Sequence, residues 1–320
     1  MSGMPERTVS GPEKIVFDQP LIDLTALNVR IVGGAVNVVG IEDGPARMEV
    51  TELTGPPLTV DLTDGTLTVT YEDLSWKGLL KWRERGRWKR HAVISLAVPQ
   101  HIEVEVGAIG AEAVISGITG PTTVQGVNGD TTLVGLSGPV RANTVAGRVD
   151  AQSLSGNLRI NTVSGDLTVV EGSGSEVRAD SVSGNMVLDL DPSAGADVQL
   201  TTVSGEIAIR IPEPGDAEVF ANTTSGRISC AFEELHVCGQ WGTGGSSAVG
   251  RGKVTGRIGS GGARLKATTI SGSIALLRRP PFEEGADAAD APGPADPAAP
   301  AGPAGSADGG PGSTSLRKDS

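Results

Sequence analysis

The stretch Arg159-Ile160-Asn161-Thr162-Val163-Ser164-Gly165 decides the fold, because near copies of it recur along the chain. It follows Arg141-Ala142-Asn143-Thr144-Val145-Ala146-Gly147 and precedes Arg178-Ala179-Asp180-Ser181-Val182-Ser183-Gly184. Further versions run from Gln199 to Gly205, from Phe220 to Gly226 and, after a gap, from Lys266 to Gly272. A short phrase returning near every 18 to 21 residues marks a stacked β architecture, in which each repeat buries its apolar face on its neighbours.

Working outward from the phrase, turn glycines fall nine apart at 120, 129, 138, 147, 156 and 165. Counting from each glycine, positions +2 and +4 are mainly apolar: Val140 and Ala142, Val149 and Ala151, Leu158 and Ile160, Leu167 and Val169. Position +7 is apolar as well, at Val127, Leu136, Val145, Leu154 and Val163. Between these, Arg141, Asp150, Arg159 and Thr168 are expected to face water, the alternation of a half-buried strand.

Spacing separates a coil from a meander. From the first apolar residue of the phrase to its closing glycine is always seven positions, as in Val140 to Gly147 and Leu265 to Gly272. The return half stretches from 11 (Gly147 to Leu158) to 14 (Gly205 to Val219). One rigid side and one elastic side imply two different turns per coil. The expected fold is therefore all-β, a two-sided parallel β-solenoid of 18–21-residue coils spanning 109–278, with a repeated β-meander as the alternative. A coil has about five aliphatic side chains, each giving ~1.5–3 kcal/mol on burial. That cannot offset the ordering of some twenty residues at ~1–2 kcal/mol apiece, so stability must be collective.

Upstream, residues 1–14 read as a flexible lead and 15–108 as an N-terminal β-strand region. Leu27–Ile31, Ala35–Val39, Ala92–Val98 and Ile102–Val106 carry strand patterns, and Leu58–Leu62 and Leu67–Tyr71 flank the hairpin signal Asp64-Gly65. These strands are expected to cover one end of the stack, with Arg278-Arg279-Pro280-Pro281 as the stop at the other. Residues 239–262, rich in Gly and Ser, read as a loop or loosened coil. The Pro/Ala/Gly/Asp tail 279–320 has too little apolar bulk to fold and is expected to be disordered.

Three features together resemble the bacterial DUF4097 family of adhesin-like proteins with β-strand repeats. They are Thr162-Val163-Ser164-Gly165-Asp166-Leu167 with its copy Thr202-Val203-Ser204-Gly205-Glu206-Ile207, the segment Val98-Pro99-Gln100-His101-Ile102-Glu103-Val104, and the closing Thr269-Ile270-Ser271-Gly272-Ser273-Ile274. The resemblance covers about 25–278 and implies an all-β repeat domain with a structural or envelope-associated role. It brings no catalytic residues with it.

Composition narrows the partners. The formal net charge is −12, which argues against double-stranded nucleic acid, whose phosphates need a basic surface. Met1 to Lys14 lacks the apolar core of a secretory signal, and no apolar run approaches a bilayer span of ~18 residues. The expected location is cytoplasmic, or peripheral at the inner membrane face.

Against this acidic background stands a basic, Trp-rich insert at 75–91 with a net charge of +6 over Trp76–Arg90. In extended form Trp76, Trp82 and Trp88 share one face while Lys77, Lys81, Arg83, Arg85, Arg87 and Lys89 take the other, with Arg90 closing the strip. Such a strip suits an anionic membrane surface, though a hairpin packed over the solenoid end or a single-stranded nucleic acid site fits the same residues. The second candidate is the exposed column Arg141, Arg159 and Arg178, continued by Gln199, Phe220 and Lys266. It reads either as a docking face for glycan, acidic polymer or another solenoid, or as a ladder that keeps the register.

The remaining chemistry is thin. The residue after each turn glycine includes Pro139 and Arg148, which defeats a repeated calcium cage. Cys230, His236 and Cys238 lack a fourth zinc ligand and match no common spacing, and Cys230 falls at an inward position. His91 and His101 show no partner acid or nucleophile in the sequence. Asp150, Asp189 and Arg210 could be grouped as in carbohydrate-cleaving β-helices, but generic surface charge explains them equally. No metal, cofactor or catalytic residue is assigned. The expected function is a non-catalytic β-repeat scaffold or binding protein, docking to a membrane surface, envelope machinery, a protein partner or itself. A carbohydrate-binding or carbohydrate-cleaving β-helix is the alternative.

Overall fold

A computed structural model describes residues 4–17, 24–71, 90–240 and 248–279. The N-terminal strands are β1 (Met4–Val9), β2 (Glu13–Val16), β3 (Ala26–Ile41), β4 (Arg47–Thr54), β5 (Leu58–Thr63), β6 (Thr66–Tyr71), β7 (His91–Pro99) and β8 (Glu103–Ser116). There follow β9 (Thr122–Asn128), β10 (Thr131–Val134), β11 (Val140–Ala146), β12 (Val149–Gln152), β13 (Leu158–Thr162), β14 (Leu167–Gly172), β15 (Glu176–Ser181) and β16 (Met186–Leu190). The last eight are β17 (Asp197–Thr202), β18 (Ile207–Ile211), β19 (Ala217–Thr223), β20 (Ile228–Cys230), β21 (Leu235–Gln240), β22 (Ala248–Ile258), β23 (Ala263–Thr269) and β24 (Ile274–Arg278).

Two parallel ladders carry the repeats. Sheet A stacks β9, β11, β13, β15 and β17, with Arg141 opposite Arg159 and Arg159 opposite Arg178. Sheet B stacks β10, β12, β14, β16 and β18. Each coil gives one strand to each sheet, and successive coils pair in parallel. A meander would alternate in direction, so the fold is the two-sided β-solenoid. The stacking extends upstream of the phrases: β3 pairs in parallel with β8 along both of its halves, joining sheet A through 26–31 and sheet B through 34–39. The two strand patterns expected there form one bent strand. Gly34 lies at the bend with φ of +111°, and a Cβ on it would sit 1.9 Å from the Ala92 carbonyl oxygen.

The rigid corner explains the phrase residue by residue. Thr162 is buried and its Oγ1 accepts the Gly165 N–H at 3.0 Å; Thr202 and Thr269 repeat this with Gly205 and Gly272. The serine then donates both its N–H and its hydroxyl to the valine carbonyl one coil below, as Ser164 does to Val145. Glycine closes the turn because no side chain fits. A Cβ on Gly165 would lie 2.0 Å from the Gly147 carbonyl oxygen, and one on Gly184 would lie 1.8 Å from that of Gly165. The closing glycines thus line up along a single edge.

The apolar positions divide in a way the pattern alone does not show. Positions +2 and +4 are inward, with Ile160 and Val169 fully buried. At +7, Leu136 and Leu154 are buried at 1% exposure, whereas Val127, Val145 and Val163 are each 47% exposed. The leucines lie at the elastic corner, where the chain folds back over the core; the valines cap the tight corner and point outward.

Coil order departs from chain order. β23 and β24 insert between β17–β18 and β19–β20, so 263–278 lies next to 197–211 and is itself covered by 217–230. The exposed column therefore runs Arg178, Gln199, Lys266, Phe220, not Gln199, Phe220, Lys266 as expected. Arg278 and Arg279 do not stop the stack. Arg278 pairs with Glu213 at 3.3 Å, and Arg279 clasps the Asp189 carboxylate with Nε at 2.6 Å, stapling β24 beside β18. The stack is closed at this end by β22, which runs antiparallel to β20 and β19 and pairs outward with β21. Residues 248–258, within the segment expected as a loop or loosened coil, form this strand because an antiparallel cap has no need of the repeat's phase.

The other end is closed by antiparallel partners as well: β7 with β4, β4 with β2, β6 with β5 and β5 with β1. Asp64 and Gly65 both take positive φ, 50° and 76°, as the β5–β6 hairpin requires. The lead 1–14, expected to be flexible, instead carries β1 and the start of β2, with Val9 in the core and Ile15 and Phe17 buried just beyond it. Its apolar residues are too sparse to read as strands without their partners. The tail beyond Arg279 lies outside the described residues.

Candidate docking surface

On the outer face of sheet A, alternation places every second side chain in solvent. In β11 these are Arg141 and Asn143, followed past the strand's last buried threonine by Val145. In-register stacking turns them into columns. Arg141, Arg159 and Arg178 stand over one another at about the 4.8 Å spacing of neighbouring strands. All three are exposed. Arg178 reaches Asp180 at 3.0 Å, while Arg141 and Arg159 form no ion pair among the described residues. Beside them Asn161 donates its amide to the Asn143 side-chain carbonyl at 2.7 Å, a register-keeping ladder of the kind expected for this column.

Further along the same face the cations widen into a cluster. Register brings Arg264 beside Glu218 and Lys266 beside Phe220, and Arg257 beside Glu218 from the antiparallel strand. Lys253 lies over the Phe220 ring at 4.8 Å. A groove of about 760 Å³ opens here, lined by Phe220, His236, Arg257, Arg264 and Lys266. At the opposite end of the face a smaller groove of about 260 Å³ lies over Gly107 and Gly126, flanked by Arg30, Glu105, Gln125 and Asn143. Arg30 pairs there with Glu105 at 3.8 Å. Sequence reading missed Lys253, Arg257 and Arg264, because they come from segments outside the phrase or out of chain order.

Of the basic Trp strip, Trp76 through Lys89 lie outside the described residues. Arg90 is described, and its guanidinium stacks over the Tyr71 ring at 5.6 Å. Tyr71 is buried, and desolvation pushes its hydroxyl pKa up, with Arg90 partly offsetting this.

The other candidate groups are dispersed. Asp189 and Arg210 are register neighbours on the outside of sheet B, but the Asp189 carboxylate is held by Arg279. Asp150 stacks on Thr168, in a different column. Cys230 is buried, donates its thiol to the Phe232 carbonyl at 3.5 Å, and has its pKa raised by burial, the setting of an inert thiol. His91 faces Glu52 at 3.3 Å. Among the described residues no group of three or more His, Cys, Asp or Glu is placed to hold a metal ion, and no helix is long and apolar enough to cross a membrane.

No curated protein sequence matches the chain. Among the solved structures that resemble it, two are 12% identical. One is a Clostridium sporogenes protein described as a putative cell adhesion protein, with a TM-score of 0.26 over 84% of this chain and 100% of that one. The other is a Parabacteroides distasonis protein described as a putative lipid binding protein, with a TM-score of 0.35 over 83% and 97%. At these scores neither likeness bears on function. The family model described as Toastrack DUF4097, by contrast, matches residues 59–277. With coils, corner glycines and family model in agreement, the chain belongs to the Toastrack DUF4097 family.

Proposed function

We propose that the protein is a non-catalytic β-repeat scaffold that binds an anionic partner across the outer face of sheet A. The observation that carries this reading is the stacked column of Arg141, Arg159 and Arg178 in a chain of net charge −12. Like charges opposite one another in neighbouring strands destabilise a sheet. The fold itself does not require them, since Gln199 and Phe220 hold the same column position. A surface that keeps repelling cations in register is suited to a counter-charge brought by a partner, and an extended one can engage several coils at once. Lys266 and Arg264 lengthen the same surface beyond Gln199.

The Trp76–Lys89 strip joins this proposal as a second anionic contact, to be tested separately. The direct test is titration of the full chain with a soluble anionic polymer, dextran sulfate, at low ionic strength. Replacing Arg141, Arg159 and Arg178 together by Glu is expected to weaken binding by about a hundredfold or more. Melting and circular dichroism should be unchanged. Equal binding by the triple variant would overturn the assignment of this face.

A further inference from the structure

We propose that the partner of this face is an anionic lipid bilayer, and that the tight corner of the solenoid is the edge that enters it. The inference rests on the anionic-docking reading above and names its partner. It starts from a ridge the phrase builds outward: Val127, Val145, Val163, Val182, Val203 and Ile270 are between 41% and 53% exposed. Register stacks them along one edge, five strand spacings or about 24 Å long.

Their side chains take no part in the corner's hydrogen bonds, which come from the neighbouring Thr, Ser, Gly and backbone groups. Nor does the corner demand an aliphatic residue. Thr224 occupies this position in the coil of β19 and β20, where Ser225 and Gly226 make the usual bonds. Six exposed β-branched aliphatics in line are thus surplus to folding.

Charge selects the occupant. Four residues before four of the six ridge members stands a cation: Arg141 before Val145, Arg159 before Val163, Arg178 before Val182 and Lys266 before Ile270, with Thr123 and Gln199 in the same column before Val127 and Val203. At about 3.3 Å per residue the cations lie about 13 Å from the ridge on the same face. Asn143, Asn161, Thr201 and Thr268 fill the space between without charge, and Asp180 is paired to Arg178.

An aliphatic line beside a parallel line of cations matches acyl chains beside headgroup phosphates, where each basic residue adds to binding. A second copy packed ridge to ridge would bring arginine columns together, and a soluble polyanion would leave the ridge in water. On this face the carboxylate nearest the ridge is Asp180, which Arg178 holds; Glu176, Asp197 and Glu218 stand two residues farther from the corner than the cation column, and other carboxylates lie beyond the corner toward sheet B. Asp130 and Asp166 there accept the backbone N–H of Arg148 and Asn185.

The test is flotation of the full chain with vesicles of phosphatidylcholine alone or mixed with phosphatidylglycerol, alongside dextran sulfate titration. The chain is expected to float with the anionic vesicles only. V145T/V163T/V182T keeps the β-branch that Thr224 already shows to be tolerated. It should lose vesicle binding by about tenfold or more while retaining dextran sulfate binding. V170T/V187T, on the outside of sheet B, should bind vesicles like the unaltered chain, and melting curves report whether each variant folds. Undiminished vesicle binding by the ridge variant would overturn the inference. So would an unaltered chain that takes dextran sulfate and ignores anionic vesicles, which would leave the broader docking reading intact. Binding to neither would remove both.

Discussion

At the scale of single residues the corner is a set of small, separable devices. The buried threonine is the sharpest of them, because one copy lacks the partner the others have. Thr162 Oγ1 accepts the Gly165 N–H at 3.0 Å, whereas the Thr144 hydroxyl is buried with no hydrogen-bond partner. Gly147, which closes that coil, takes φ of +113°, and Ala146 replaces the serine. Removing an acceptor from a buried N–H costs about 1–3 kcal/mol, while removing an unpartnered hydroxyl relieves a desolvation cost. Thr162→Val is therefore expected to lower stability by about that amount, and Thr144→Val to leave it unchanged or raise it. Urea denaturation of both variants checks this, and equal losses at the two sites would remove the account of the phrase given above.

Elements are joined by contacts of a different kind, at the elastic corners where the turns lengthen. Asp216 ties the turn before β19 to the turn before β23: its carboxylate accepts from the Ser260 hydroxyl at 2.8 and 2.9 Å and from the Gly262 N–H at 2.9 Å. The Gly262 and Ser260 bonds, outweighing the opposing effect of desolvation, hold its pKa below the ordinary 3.8. A carboxyl whose folded pKa is depressed stabilises the fold above its unfolded value, and that contribution fades as pH falls through the folded one. Asp216→Asn should therefore melt earlier than the unaltered chain at neutral pH, with the gap closing below pH 3.8. A gap that persists unchanged in acid would show the turns are joined by something else.

Elements also show what was legible in the sequence. Parallel coils could be read because the phrase keeps a constant seven-residue span, and the Asp64-Gly65 hairpin because its turn chemistry is local. The outward turn of Val145 was hidden, since an apolar residue next to a buried threonine looks the same whichever way the corner points it. β1 and the antiparallel β22 were hidden too, as the partners of β1 lie far along the chain (Val9 opposite Leu58, Met4 opposite Leu62) and those of β22 are out of phase. Of the surface, the arginine column followed from strand parity alone. Lys253, Arg257 and Arg264 needed the true coil order before they came together.

For the whole stack that order has a mechanical consequence. In a solenoid that follows its chain, the last coil is terminal, touches one neighbour and frays first. Here β23 and β24 are flanked on both sides, by β17–β18 and by β19–β20, with Leu265, Ala267, Ile274 and Leu276 all buried. The exposed end is instead β21, which pairs on one side with β22 alone among the described strands. Local opening follows contact density and not position in the sequence. Hydrogen exchange should accordingly be slow for 263–278, as slow as for the interior coil 158–170, and fastest in this half of the chain for 235–240. Chains cut after residue 262 should expose 197–211 and 217–230 together, because both lose their shared neighbour. Rapid exchange of 263–278 in the full chain, ahead of 217–230, would mean that the inserted coil is only loosely held, and the stack would then have to be read as ending at β18.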